Sequence, residues 1–140
     1  MKTIEAKSFG IIPLKKENET WKVLIILHKI GNHWGFPKGH AEPHEQPMES
    51  AARELKEETG LEIERFLLEI PFVENYQFRK KNELVSKTVL FFPALVSGEL
   101  HLQTEEIREA KWVNLVDAPQ LLSFKEARHI CEQLIKIFNG

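Results

Sequence analysis

Glu54, Glu57 and Glu58 stand at i, i+3 and i+4, a spacing that puts three carboxylates on one side of a helix within reach of a common point. Without a counter-charge they repel one another. Arg53 and Lys56 neutralise only part of that charge, whereas a bound divalent cation removes the conflict. Ligands that are all oxygen point to magnesium or manganese. The plain alternative is a solvated helix face, the usual meaning of a Lys-Glu-Glu run, and these residues alone do not exclude it.

The elements that must hold these carboxylates are legible from periodicity. Pro47 suits the first helical position and Gly60 the left-handed position just past the end, which predicts a helix of about three and a half turns. Met48, Ala51, Ala52 and Leu55 form its expected buried face. Before it, residues 29–44 carry Gly31, Gly35, Pro37, Gly39 and Pro43, predicting a shaped loop with little regular structure. Apolar runs at 4–14 and 23–27, separated by a polar hairpin turn at 15–20, predict a strand pair. Further strands are expected at 63–73, 86–96 and 110–114, with a hairpin loop at 79–83 and a turn near Gly98. In the C-terminal segment Ser123 and Glu126 have capping-box spacing, and Ala127, Ile130, Cys131, Leu134, Ile135 and Phe138 make a helical core stripe. The order β, β, loop, α, β, β, β, α implies one α/β domain spanning residues 1–140, with helices packed on a mixed sheet.

Composition agrees with a folded protein of this size. The 140 residues are 42% hydrophobic and 29% charged, with 19 basic against 21 acidic side chains and a formal net charge of -2. No global field attracts nucleic acid, so any polyanion must be met locally. The single cysteine, Cys131, permits no intrachain disulfide and argues against a cysteine-based zinc site, which suits a reducing cytoplasm. The N-terminus has no apolar run of signal-peptide length, and no stretch approaches the roughly 20 apolar residues of a membrane span. A cytoplasmic protein is expected.

The carboxylates also belong to a longer spaced pattern. Gly39 is followed after five residues by Glu45, and after seven more by Arg53, Glu54, Leu55, Lys56, Glu57, Glu58, Thr59, Gly60 and Leu61. This resembles the complete signature of the Nudix hydrolases, G-x5-E-x7-R-E-U-x-E-E-x-G-U with U aliphatic, and every required position matches. The resemblance implies a Nudix-type α/β/α sandwich with a mixed β-sheet, a loop-helix-loop catalytic motif and a C-terminal helix. It implies hydrolysis of a nucleoside diphosphate linked to another group, with Mg2+ or Mn2+ as cofactor. Glu54, Glu57 and Glu58 would be metal ligands or the general base, with the backbone carbonyl of Gly39 as a further ligand. Glu45 and Arg53 would brace loop against helix through bidentate hydrogen bonds, Arg53 being part of the catalytic motif. Glu54, Glu58 and Glu106 all remain open as the base.

Four further features resemble the diadenosine tetraphosphate hydrolases within that family. The run His33-Trp34-Gly35-Phe36-Pro37-Lys38-Gly39-His40 implies polyphosphate contacts by His33, Lys38 and His40. Glu74-Asn75-Tyr76, followed by Arg79, Lys80, Lys81 and Lys87, implies Tyr76 as a stacking platform for adenine and Lys81 or Lys87 as phosphate contacts. A core tyrosine and a solvated hairpin tip are the competing readings. Glu106, six residues before Trp112, would be a metal ligand or catalytic, with Glu105 a rival by position. Phe124 would be the second face of an adenine sandwich or a cap on the C-terminal helix. His44 departs from the family, where glycine is frequent, and histidine tolerates positive φ less well. The implied reaction is asymmetric cleavage of diadenosine tetraphosphate to ATP and AMP, with no membrane and no stable protein partner. Alternatives are RNA 5′-pyrophosphohydrolysis, with RNA as substrate, nucleoside triphosphate pyrophosphohydrolysis, and a non-catalytic nucleotide-sensing module.

Overall fold

Strand β1, Lys2–Glu17, and strand β2, Thr20–His28, are joined by a two-residue turn, seen in a computed structural model that describes residues 2–138. Asn18 and Glu19 both have positive φ, 49° and 69°, as a tight hairpin of matching twist demands. The turn is shorter than the expected 15–20 loop. Lys15 and Lys16 stay in the ladder opposite Lys22 and Trp21, and their ammonium groups lie over the Trp112 and Trp21 rings at 4.2 and 5.5 Å, which holds their stems against aromatic surface.

Toward the start of β1 the two strands part. β2 continues against β3, His33–Gly35, and β8, Ile107–Asn114, while β1 accepts β4, Lys38–Gly39, and runs parallel to β7, Glu83–Ser97. The segment expected to lack regular structure therefore bridges the gap as two short strands. Its centre, Phe36, is 1% exposed, so the surrounding backbone groups need partners; Ile11 N–H supplies one by donating to the Pro37 carbonyl at 3.1 Å. The approach is so close that a Cβ on Gly10 would collide with that carbonyl and with the Phe91 ring.

The strand expected at 63–73 is likewise two: β5, Glu62–Phe66, and β6, Phe72–Lys80, both antiparallel to β7 along different halves. Pro71 stands between them and offers no N–H to a ladder. β6 then runs through Tyr76, and the hairpin loop shrinks to Lys81 and Asn82.

The sheet has a helix on each face. Phe9, Ile11, Leu24, Ile26, Phe92 and Ala94 pack with Ala51 and Leu55 of α1, Pro47–Thr59. Ile12, Leu14, Val23, Ile25, Val89 and Phe91 pack with Ala127, Ile130, Cys131 and Leu134 of a C-terminal helix, Lys125–Phe138. This is the expected α/β/α sandwich on a mixed sheet. α1 starts with Pro47 and stops at Gly60, whose φ is 83° and whose N–H donates to the Lys56 carbonyl. Its buried face is shifted from the expected one: Ala51 and Leu55 are fully buried, Met48 and Ala52 only partly, and Ser50, Glu58 and Thr59 are buried as well. Ser123 does not act as a helix cap; its hydroxyl accepts from Trp34 N–H at 2.7 Å and its own N–H donates to the Trp34 carbonyl at 3.2 Å, so it finishes the free edge of β3. No described helix is long and apolar enough to cross a membrane.

Candidate active site

Where β1 and β2 part, a cleft of about 840 Å³ opens beside α1. A gap between diverging strands is the natural place for a ligand in an open α/β sheet, because loops there can approach without breaking a ladder. One wall carries Glu54, Glu57 and Glu58 from α1 and Glu106 from the turn before β8. Glu105 is not among the lining residues.

The carboxylates are forced together. Glu58 is 4% exposed and accepts a hydrogen bond from Lys38 N–H at 3.1 Å. Burial, then the charges of Glu54 and Glu106, push its carboxyl up to about 8 against the pull of Lys38. Burial also raises Glu54, opposed by its hydrogen bond and ion pair with Arg53. A Cβ on Gly39 would collide with the Glu54 carboxylate, so with a larger residue there that carboxylate would have to swing away from its present place. Among the described residues the side chains do not close around a single point, because Glu54 and Glu57 turn an oxygen each toward Arg53 Nη1, at 2.9 and 3.0 Å. Oxygen donors alone, mutually repelling and set against a bare backbone, fit a hard divalent cation.

Arg53 braces this wall. Its Nε and Nη2 hold Glu45 at 2.7 and 3.1 Å, Nη2 also donates to the His40 carbonyl at 2.8 Å, and Nη1 serves Glu54 and Glu57. These contacts use all five guanidinium N–H groups, and none is left for a substrate. The expected supporting role therefore agrees with the geometry better than direct catalysis does. Glu45 in turn accepts from Glu42 N–H and Ser50 Oγ at 2.7 and 2.8 Å, and the Arg53 hydrogen bond holds its carboxyl down to about 2. The turn that delivers Glu45 passes through His44 at φ 72°, the conformation that glycine would adopt without strain.

The facing wall is basic and aromatic. Lys38, His33, His40, Tyr76 and Lys87 all line the cleft. Lys87 is 8% exposed, and burial, with the charge of Lys38, lowers its pKa. His40 pairs through Nδ1 with the Lys7 carbonyl at 3.3 Å. Lys81 is not brought in: it sits at the exposed tip of the β6–β7 hairpin, at φ 56°, so of the two lysines named for phosphate only Lys87 reaches the site. Phe124 lies outside this cleft but on an adjoining apolar one of about 500 Å³, shared with Ile30, His33, Tyr76 and Phe78.

Sequence reasoning missed His28, Ser8 and Phe78, which also line the cleft. Phe78 was accessible from strand alternation, two residues beyond Tyr76. His28 gave no signal, being one polar residue closing an apolar strand. Its ring stacks on His33 at 4.6 Å and 17°, with Phe124 at 4.8 Å on His33 as well. Its Nε2 meets the Phe36 carbonyl at 3.2 Å. Burial, followed by the charges of His33 and Lys38, lowers His28 to about 4, so it is neutral at neutral pH.

A family model described as NUDIX domain matches residues 5–134. Over 128 residues the chain is 38% identical to the asymmetrical bis(5′-nucleosyl)-tetraphosphatase of Mus musculus, covering 84% of this chain and 80% of that one. It is 26% identical over 159 residues to an RNA pyrophosphohydrolase of Bartonella henselae, covering 96% and 90%. The crystal structure of a C. elegans Ap4A hydrolase binary complex has the same fold, with a TM-score of 0.73 at 22% identity, covering 96% of this chain and 98% of that one.

Proposed function

The chain belongs to the Nudix hydrolase family, and from that premise we propose that it cleaves diadenosine tetraphosphate asymmetrically, to ATP and AMP, with magnesium as its cofactor and manganese as the alternative. The observation that carries this reading is the continuity of the two clefts: the carboxylate wall, the lysines and the aromatic pocket meet at His33, Lys38, Tyr76 and Phe78, which line both. A substrate with a long polyphosphate and a base at its end needs that succession of surfaces.

Family members generally use divalent metal ions, and here Glu54, Glu57, Glu58 and Glu106, with the Gly39 backbone, would hold them. When bound, such a cation neutralises charge on the phosphate oxygens and lowers the pKa of the attacking water. Lys38 and Lys87 face the polyphosphate, and partial burial strengthens their charge-assisted hydrogen bonds. Tyr76 and Phe124 offer apolar faces to an adenine. Water attacks the phosphorus that becomes AMP, its proton passing to a carboxylate among Glu54, Glu58 and Glu106, while ATP departs as an already stable anion. Arg53 keeps Glu54, Glu57 and the loop in place throughout. A single buried cysteine suits work in a reducing cytoplasm.

Parallel incubation with Mg2+ and diadenosine tetraphosphate, nucleoside triphosphates or triphosphorylated RNA tests the reading. ATP plus AMP from the first, at far higher efficiency than any other product, is the expected result; pyrophosphate released mainly from RNA would refute it. The RNA reading has one specific support, the similarity to the Bartonella enzyme over nearly the whole chain. A non-catalytic nucleotide sensor is disfavoured because every glutamate of the signature is present.

A further inference from the structure

We infer that Glu74 is a base-specificity residue, whose carboxyl accepts a hydrogen bond from the 6-amino group of an adenine lodged in the apolar cleft beside Tyr76. The inference rests on the nucleotide-hydrolase reading above and concerns a side chain that neither the carboxylate wall nor the lysines use.

Strand alternation places Glu74, Tyr76 and Phe78 on one face of β6, while Asn75 points the other way, its Oδ1 accepting from Thr88 Oγ1 at 2.9 Å. Along that face exposure rises from 7% at Glu74, through a half-buried Tyr76, to 42% at Phe78. The three therefore run from the floor of the cleft to its rim. Glu74 lies between the apolar cleft and a small cavity that reaches toward Phe36 and Phe91.

A carboxyl this buried should have a partner, since an unpaired polar group away from water costs about 1–3 kcal/mol or more. Among the described residues no basic side chain lies within ion-pair distance of Glu74 and no side-chain hydrogen bond reaches it; its two oxygens are nonetheless not sealed off. Burial raises its pKa, Lys38 opposes that at longer range and Glu126 reinforces it. Ionised or not, the group keeps at least one acceptor oxygen. Its open side is the apolar cleft, so a donor lodged there reaches it. A base held against Tyr76 presents its ring edge, and the exocyclic amine is the donor that an adenine carries there. Stacking on Tyr76 or Phe124 is indifferent to the base, because every base has a π-face. A buried acceptor is not, because a base without the donor leaves it desolvated and unpaired.

The test compares binding of AMP with that of purine riboside 5′-monophosphate, which lacks the amine, and of N6,N6-dimethyl-AMP, which lacks its protons. Wild type should bind AMP roughly tenfold more tightly than either analogue. E74Q, which keeps an acceptor oxygen, should retain that advantage. E74L should abolish it without weakening the analogues, and E74M serves if E74L does not fold. Equal binding of the three nucleotides by wild type, no saturable AMP binding, or an AMP advantage that survives in E74L or E74M would overturn the inference. Turnover of diadenosine tetraphosphate is measured separately: its absence would sink the proposed function while the AMP preference still stood or fell alone.

Discussion

Replacing Arg53 by Lys separates a brace from a catalyst. The guanidinium makes five hydrogen bonds, to Glu45 twice, to Glu54, to Glu57 and to the His40 carbonyl. An ammonium has three donors on one atom and cannot reproduce the fork, so roughly three of those bonds are lost. Glu57 is 54% exposed at its side chain and turns to water at little cost, whereas Glu45 and Glu54 are only 18% and 14% exposed. The hydrogen bond to the poorly hydrated Glu54 carboxylate, discounted for its partial access to solvent, amounts to about 1 kcal/mol. For a chain of this length that is a fall in Tm of about 2–4 °C, measurable by urea and thermal denaturation without metal or substrate. In turnover, kcat should fall about tenfold or more because Glu54 and Glu57 lose their setting, while KM changes little because Arg53 has no donor left for phosphate. If R53K kept wild-type stability yet lost nearly all kcat, or if its main effect were on KM, Arg53 would be acting on the substrate and the brace would be wrong.

Three other outcomes follow from the same geometry. E58Q should cost at least about a hundredfold in kcat with the fold intact, since charge and metal affinity both fall; near-normal turnover in a steady-state assay would remove Glu58 from the metal site. Y76A should raise KM more than it lowers kcat, because a stacking face binds ground and transition states alike; an unchanged KM would return Tyr76 to a purely structural role. Two groups of the site pull stability down in acid, opposed by Glu58, whose carboxyl, raised to about 8, takes up its proton first in the fold and adds stability as pH falls toward 4.5. His28 is neutral in the fold, with its pKa near 4 against 6.5, so the unfolded chain takes up a proton first and stability falls as pH drops from about 6.5 to 4, by at most about 3 kcal/mol. Glu45, held near 2, continues the decline below about 4.5. Urea midpoints for wild type and H28Q across this range should diverge in the upper window only.

The α1 site was legible because its physics is local. Helical spacing, Pro47 at the start, Gly60 at the end and the positions of Gly39, Glu45 and Arg53 are all properties of adjacent residues, and each reappears in three dimensions. The sheet was less so. β3 and β4 exist because the chain crosses a gap between two strands that diverge, and nothing within 29–44 announces a gap made by β1 and β2. Ser123 has capping-box spacing, yet its hydroxyl goes to Trp34, a partner 89 residues away, a backbone demand of the β3 edge that no local spacing announces.

The same distinction governs the second wall of the cleft. Tyr76 and Lys87 face each other only because β6 and β7 pair in that register, and a slip of β6 by one residue would turn Tyr76 away. Lys81, read as their equal from its place in a basic run, falls on the exposed turn, while Glu74 and Phe78, to which no role was assigned, share the face of Tyr76. On the proposed function, the metal-holding carboxylates come mostly from one contiguous motif, joined by Glu106 from the turn before β8. On the same reading, choice of base would rest on the register of a hairpin, where a change at one position of β6 alters the face beside Tyr76 and leaves the carboxylates of α1 untouched.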